Sequence, residues 1–315
     1  MNLRARTIES MGFMISAVSD NTEFLGTVRQ VTEKLFTILT GGFAHDDPQE
    51  VAVKEALSKI AFYLKEDFHV IAPKYLEILV QDAKVNIDIK QENADLPSAA
   101  SETQKSFEFK LKGMESSTRV SLNTSALGNK IAAFQHILKL SEAMGAGFLP
   151  YIPAILPVIK AHANHFSKAI RKAALKTFQY LLIATGEPNN LALFKEIYQL
   201  FGMHILIANK KGQVKELKLL FKEMFHCMRV ISQNEENNRF FENEAQLVSF
   251  GQLMNQCLNT VAIEKEHQLA TIEEKAKNDQ IDQEDEDEIK EEIYKITGAA
   301  TYINECADII MTTYG

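Results

Sequence analysis

The sequence predicts an all-α fold assembled from stacked two-helix repeats, and three observations point there. The first is an internal match. Asp67-Phe-His-Val-Ile-Ala-Pro-Lys-Tyr-Leu-Glu-Ile-Leu-Val80 falls without a gap on Gly147-Phe-Leu-Pro-Tyr-Ile-Pro-Ala-Ile-Leu-Pro-Val-Ile-Lys160, at an offset of eighty positions. Phe68 meets Phe148, Ala72 meets Ile152, Pro73 meets Pro153, Leu76 meets Leu156 and Leu79 meets Ile159. Eighty is two periods of about forty residues, the length of a HEAT-type helical hairpin. The second observation is helix-period apolar stripes at Ile131, Phe134, Leu138, at Leu217, Leu220, Met224, Met228, Ile231, and along Ile289 to Ile310. The third is composition: 46% hydrophobic residues, no Trp, and few Pro and Gly for 315 residues, which favours helices. The expected architecture is an α-solenoid of HEAT-type hairpins, a right-handed superhelical array with one long insertion, treated as one unit over residues 1–315.

The helices follow in order. An opening helix at about 2–18 precedes hairpins formed by 21–42 with 47–65, 67–85 with 125–145, 148–162 with 166–185, 188–209 with 212–232, and 237–277 with 284–313. Asp47-Pro48-Gln49-Glu50 supplies an N-cap, a proline at the first helical position and an acid in the first turn. Gly41-Gly42 and Gly186, the latter followed by Pro188, read as stops. Pro150 and Pro153 suit an opening turn, and Pro157 is expected to bend its helix. The opening helix has no partner before it; its Leu3-Arg4 and Ile8 resemble Ile170-Arg171 and Leu175, which open the second helix of a hairpin. The chain is therefore expected to begin in mid-repeat, as a piece of a longer array whose first helix exposes Ile8, Met11 and Ile15.

Two segments depart from regularity. Residues 87–124 separate two helices of one hairpin. Asp95 to Ser101 has a disordered character, while Phe107, Phe109 and Leu111, then Val120 and Leu122 beyond Gly113, alternate as in a short hairpin. Function and plain spacer are both open for this insertion. Near the end, the helix from 237 keeps its stripe through Leu247, Phe250, Met254, Leu258 and Val261, then turns polar nearly all round, as a helix projecting into solvent does. This places residues 273–292 at a protruding tip.

Charge concentrates there. Between Glu273 and Glu292 eleven acidic residues face three lysines, which accounts for the whole formal net charge of −8. Such a patch attracts basic partners and repels phosphate backbones, so nucleic-acid binding is not expected. The candidate partner-binding residues at the tip are Asp282, Glu284, Asp285, Glu286, Asp287 and Glu288; a solvated loop that only maintains solubility is the plainer alternative. A basic counterpart lies on two second-of-pair helices: Lys168, Arg171, Lys172 and Lys176 on one, Lys215, Lys218, Lys222 and Arg229 on the other. Second helices line the concave side of such stacks, so these ridges could receive an acidic partner, although lysine-rich solvated helix faces are common and Glu216 and Glu223 are interleaved.

The residues offer no catalytic constellation. There is no phosphate-cradling Gly-rich loop. His162-x-x-His165 lacks a third ligand nearby, and the acidic run lacks both the Asp pattern and the Gly of a calcium loop. His136 and His226 read as helix-flank residues. Cys227, Cys257 and Cys306 sit on apolar stripes as small core hydrophobes, in keeping with a reducing compartment. No window gives an uncharged apolar run long enough to cross a bilayer, the most apolar being broken by three prolines, and the N-terminus lacks a signal-peptide apolar region. A soluble, intracellular, non-enzymatic protein without metal, cofactor or membrane insertion is expected.

Taken in succession, Leu3-Arg-Ala-Arg-Thr-Ile-Glu-Ser10, Thr124-Ser-Ala-Leu-Gly-Asn-Lys-Ile-Ala-Ala133, Gly147-Phe-Leu-Pro-Tyr-Ile-Pro153, Ala169-Ile-Arg-Lys-Ala-Ala174 and Asp282-Gln-Glu-Asp-Glu-Asp-Glu-Ile289 resemble the importin-β (karyopherin-β) family, in particular its importin beta-three branch, over middle-to-late repeats. The resemblance implies a nuclear transport receptor that shuttles between cytoplasm and nucleus across the nuclear envelope. It implies three partners: cargo proteins with basic localisation signals, Phe-Gly nucleoporins, and Ran GTPase, whose GTP-bound form releases cargo. The family's main Ran contacts lie in N-terminal repeats that have no counterpart in these motifs. The alternative function is a HEAT-repeat scaffold subunit of a phosphatase or chromosome complex.

Overall fold

The computed structural model describes residues 3–18, 22–44, 47–86, 89–93, 104–109, 118–236, 238–277 and 283–314. Eleven α-helices among them carry the fold: α1 Leu3–Ala17, α2 Leu25–Thr40, α3 Pro48–Leu64, α4 Ala72–Lys84, α5 Thr124–Met144, α6 Ile152–His162, α7 Lys168–Thr185, α8 Asn190–Lys210, α9 Val214–Ser232, α10 Glu244–Lys277 and α11 Gln283–Tyr314. The chain forms two compact units, Met1–Thr177 and Phe178–Gly315, with the boundary inside α7. In the first unit, α3 pairs with α2 and α5 with α4; in the second, α9 pairs with α8 and α11 with α10. Within each unit the second helices (α1, α3, α5; α9, α11) pack on one another more broadly than the first helices do. This is the arrangement of an α-solenoid.

The matched stretches build the same junction twice. Lys65–Val70 and Gly145–Tyr151 are 3-10 turns, not the first turns of α-helices. Each leaves a second helix through a residue of positive φ, Lys65 at 50° and Gly145 at 51°. Each then drops a fully buried phenylalanine, Phe68 or Phe148, into the core and starts the next helix with a proline in its first turn. Proline there loses no hydrogen bond, because the first N–H groups of a helix have no intrahelical acceptor. Leu79 and Ile159, the last matched pair, are also fully buried.

α1 differs from the expectation. Ile8 and Ile15 are buried against α3 and Met11 is half-buried; Leu3, Phe13 and Met14 are the exposed apolar residues. The cause is a close approach at Gly12, where an added Cβ would stand 3.2 Å from the Ala56 Cα, so α1 rolls its glycine side onto α3. Phe13 is covered on one face by the Lys59 ammonium, 3.4 Å from the ring centroid.

α10 begins at Glu244 rather than 237. Phe240 and Phe241 are buried in an aromatic cluster with Phe194, Tyr198, Phe250 and Tyr314, and the Phe241 N–H donates to the Tyr314 hydroxyl at 2.5 Å. That holds the segment open until Asn243 caps the helix by accepting from the Gln246 N–H. At the other end of α10 no described residue from 262 to 274 is buried, nor any from 287 to 295 in α11. The insertion holds three strands, β1 Ile89–Asn93, β2 Gln104–Phe109 and β3 Thr118–Asn123, in antiparallel order β1-β3-β2, with Phe107 opposite Val120. Leu111, Gly113 and Asp95 to Ser101 lie outside the described residues.

By length and composition, α8 and the run 125–162 are apolar enough to cross a membrane, contrary to the sequence reading. The run is two helices joined by a 3-10 turn containing Pro150, and α8 buries Phe194, Ile197, Phe201 and Ile205 in the core of its unit.

Polar ties link α3, α4, α5 and α6. The Lys54 ammonium bridges Glu50 at 2.6 Å and Asp82 at 2.7 Å, and the Tyr75 hydroxyl donates to the Lys54 carbonyl at 2.9 Å. Lys130 donates to the Ala83 carbonyl and reaches His162 Nε2 at 3.2 Å. His136, expected on a helix flank, is instead 3% exposed and 2.7 Å from the Ser58 hydroxyl.

Two predictions follow from these contacts. Gly145→Ala should destabilise the chain and Lys65→Gly should stabilise it, each by about 1 kcal/mol, because nothing else crowds Gly145 and only the backbone angle is at issue; chemical denaturation of both variants measures this, and shifts in the same direction would refute it. Burial pushes the His136 imidazole from its ordinary 6.5 down to about 4, with Glu55 opposing and Lys139 and Lys54 assisting. The unfolded chain therefore takes the proton first. Stability is full above about pH 6.5 and declines towards pH 4, by on the order of 3 kcal/mol from this group. His136→Gln should flatten that slope in urea titrations at stepped pH, and an unchanged slope would exclude His136 as its source.

Candidate protein-binding surfaces

The buried network contains one arrangement with the residue types of a catalytic triad, but Ser58 Oγ at 2.7 Å and Glu55 Oε2 at 3.9 Å both approach the same ring nitrogen of His136, Nδ1, so the carboxylate does not lie behind the ring to form a relay. Ser58 is wholly buried, so a substrate has no route to its hydroxyl. The depressed His136 pKa also leaves a poor general base at neutral pH. Its chemistry is structural. The His162 and His165 rings stack at 5.8 Å, but His162 Nδ1 donates to the Val158 carbonyl at 2.7 Å and Nε2 faces the Lys130 ammonium. Among the described residues no group of three or more His, Cys, Asp or Glu side chains is placed to hold a metal ion. All three cysteines are buried free thiols, each pushed above its ordinary pKa by burial.

The predicted basic ridge divides into two different surfaces. On α9, Lys215 pairs with Glu292 of α11 at 2.7 Å. Lys218 and Lys222 stand 5.8 Å and 5.9 Å from the centroids of the α11 rings Tyr294 and Tyr302. Lys218 crosses α11 at Gly298, where a Cβ would come within 2.5 Å of its Nζ. Arg229 lies over Phe225 of its own helix, and the interleaved Glu223 is buried. α11 therefore partly covers Lys218 and Lys222 and pairs Lys215, while Lys215 and Arg229 remain exposed.

On α7 the cations are open. Arg171 is tied back to the His165 and Phe166 carbonyls at 2.7 and 2.9 Å, which fixes the start of the helix, while Lys168, Lys172 and Lys176 are exposed. Lys172 and Lys176, with Ala169 and Ala173 in the adjacent row of α7, form one wall of a groove of about 540 Å³. Ile131, Gln135 and Leu138 of α5 form the other wall.

At the tip, Asp282 lies outside the described residues, and Glu284, Asp285 and Glu286 fall in the opening turns of α11 with side chains not described. Asp287 and Glu288 are exposed. Further along α11, Lys295 pairs with Glu291 at 2.7 Å and holds its carboxyl below the usual range.

Sequence reasoning missed a pocket of about 430 Å³ where the end of α9 meets α11, lined by Phe225, Ser232, Asn238, Glu305, Asp308 and Ile309 with Thr312 and Thr313 at its edge. Its hydroxyl protons are already committed. Thr312 donates to the Asp308 carbonyl, Thr313 to the Ile309 carbonyl and Ser232 to the Arg229 carbonyl. Their oxygens are left as acceptors. Glu305 turns Oε2 away from solvent, where it accepts no hydrogen bond among the described residues. The pocket thus combines carboxylates and hydroxyl acceptors with an apolar floor. Glu305 and Asp308 lie three apart on one helix, a spacing that shares a face, but nothing in the sequence showed that α9 would close the site.

No protein-family model matches the chain, and no curated protein matches it. Solved structures do. The karyopherin Kap121p bound to the extreme C-terminus of the protein phosphatase Cdc14p superimposes with a TM-score of 0.62 at 14% identity, over 98% of this chain and 31% of that one. Kap121p bound to the SUMO protease Ulp1p gives 0.60 at 13% identity, over 98% and 30%. Kap121p bound to Nup53p gives 0.57 at 12% identity, over 97% and 32%. The chain spans about a third of the length of these structures. At this identity the likeness establishes the fold alone, an α-helical solenoid.

The division of the ridge can be tested by amine labelling with mass-spectrometric readout. Lys172 and Lys176 should react several-fold faster than Lys218 and Lys222, which lie against α11 rings. Equal rates would mean that α11 does not cover α9 in solution.

Proposed function

We propose that the chain is a segment of a karyopherin-type nuclear transport receptor: a non-enzymatic carrier that binds cargo proteins through basic localisation signals. The observation that carries this reading is the acceptor-lined pocket between α9 and α11, set in a fold shared with Kap121p over nearly the whole chain. A lysine or arginine side chain entering it would lay its methylenes on Phe225 and Ile309 and bring donors to the Glu305 and Asp308 carboxylates and the hydroxyl oxygens. The acidic run, Asp282 and Glu284 to Glu288, supplies a second contact that draws basic segments towards the chain. By the resemblance of its motifs and the Kap121p complexes with Cdc14p, Ulp1p and Nup53p, the partners are protein cargo and nucleoporins. Ran bound to GTP is the regulator, weakening cargo binding and being weakened by it in equal measure, as linkage requires.

The test is fluorescence anisotropy with a labelled lysine-rich peptide. Glu305→Gln with Asp308→Asn should lower affinity about tenfold, about 1.4 kcal/mol. Neutralising the acidic run should weaken binding less and flatten its salt dependence. In the receptor containing this segment, GTP-loaded Ran should displace the peptide. Unchanged affinity in the pocket variant removes the basis of the reading, and a stable partner complex indifferent to Ran would favour the scaffold function.

A further inference from the structure

We infer that the groove between α5 and α7 is a second, separate protein-binding site, which takes an acidic peptide segment carrying one apolar residue. This goes beyond the basic-cargo reading and rests on different residues in a different unit of the chain.

Three features of the groove argue for that occupant. Lys172 and Lys176 lie four residues apart on α7, so both ammonium groups stand over the same channel. Both are exposed, and no ion pair involves either of them among the described residues. They differ in this from Lys139 on the same groove, which Glu55 holds at 2.7 Å, and from the α9 lysines, which α11 engages. The second feature is the alanine row beside the lysines on α7. Ala169 and Ala173 carry only a methyl group each, so a peptide backbone can approach α7 closely there. Third, the opposite wall presents Ile131 and Leu138, with the Gln135 amide between them on the same helix. Paired carboxylates would meet the lysines while an apolar side chain rests on Ile131 and Leu138 and leaves water.

Nucleic acid fits poorly. Two open cations neutralise about two phosphates, far short of the six to ten contacts that give nucleic-acid binders their affinity. The chain also carries a net charge of −8. The apolar wall would have no counterpart on a phosphodiester backbone.

The experiment uses the full chain and a fluorescein-labelled peptide with glutamates flanking a single leucine, alongside its glutamine counterpart. The glutamate peptide should bind at least tenfold more tightly than the glutamine peptide, and Lys172→Glu with Lys176→Glu should abolish the difference. Both lysines are exposed, so the variant should keep its circular dichroism and melting temperature. Ala169→Phe, which thickens the α7 wall without changing charge, should weaken the glutamate peptide as well. Equal binding of the two peptides, or charge reversal without effect, overturns the proposal. It also fails if unlabelled chain competes as well as peptide and a dimer forms that charge reversal dissolves, since the occupant is then the acidic run of a second copy. A single-stranded oligonucleotide that binds through the same lysines would overturn it in favour of nucleic acid. Glu305→Gln with Asp308→Asn should leave the glutamate peptide's affinity unchanged, which separates failure here from failure of the basic-signal pocket.

Discussion

The structure depends on one recurring junction, in which a buried phenylalanine is set into the core by a 3-10 turn that leaves a second helix at positive φ. A stack of helical hairpins has no single core; each repeat contacts only its neighbours, and the angle at which one hairpin leaves for the next decides which faces meet. At Lys65 and Gly145 that angle is set by the backbone, and Phe68 and Phe148 lock it by filling the space beneath. The prolines that follow stiffen the start of the next helix without removing a hydrogen bond. The Lys54, Tyr75 and Lys130 ties are additions to an arrangement already fixed by those turns.

Much of this was legible in the sequence, since a forty-residue period and a 3.6-residue stripe are direct consequences of the geometry. The eighty-residue match located the junctions correctly, and Asp47 caps α3 as its spacing implied, accepting from the Gln49 N–H at 2.9 Å. What stayed hidden was decided by neighbours rather than by pattern. Ile8 and Ile15 form a stripe whichever way α1 faces; only Gly12 against Ala56 determines that the stripe is covered. Residues 238–243 look helical until the rings of Phe240 and Phe241 find Tyr314, seventy-odd positions away. His136 resembles any polar residue beside an apolar stripe, and its burial becomes visible only when Ser58 arrives from α3.

Charge shows the same limit most clearly. Lysines at helical spacing on α7 and α9 are indistinguishable as sequence, yet one set stands over an open groove and the other is engaged by Glu292, Tyr294 and Tyr302 of α11. Gly298 is the reason for Lys218: a side chain at that position would occupy the path the lysine takes across α11. The candidate basic-signal pocket was invisible for the opposite reason. Its acceptors come from Ser232, Asn238 and a run of α11 residues that look like ordinary solvated positions, and their committed hydroxyl protons emerge only from the hydrogen bonds.

The paired outer lengths of α10 and α11, which bury nothing from 262 to 274 and from 287 to 295, have a kinetic consequence. Two helices without a core between them gain little from a partner's surface, so contacts made there are brief. The exposed carboxylates of Asp287, Glu288 and Glu291 nevertheless extend an attractive field over about a Debye length. An arm of this kind shortens the search for a basic partner without lengthening its stay. Under the proposed basic-signal reading, it would set how often the chain is visited and leave residence to the pockets nearer its core.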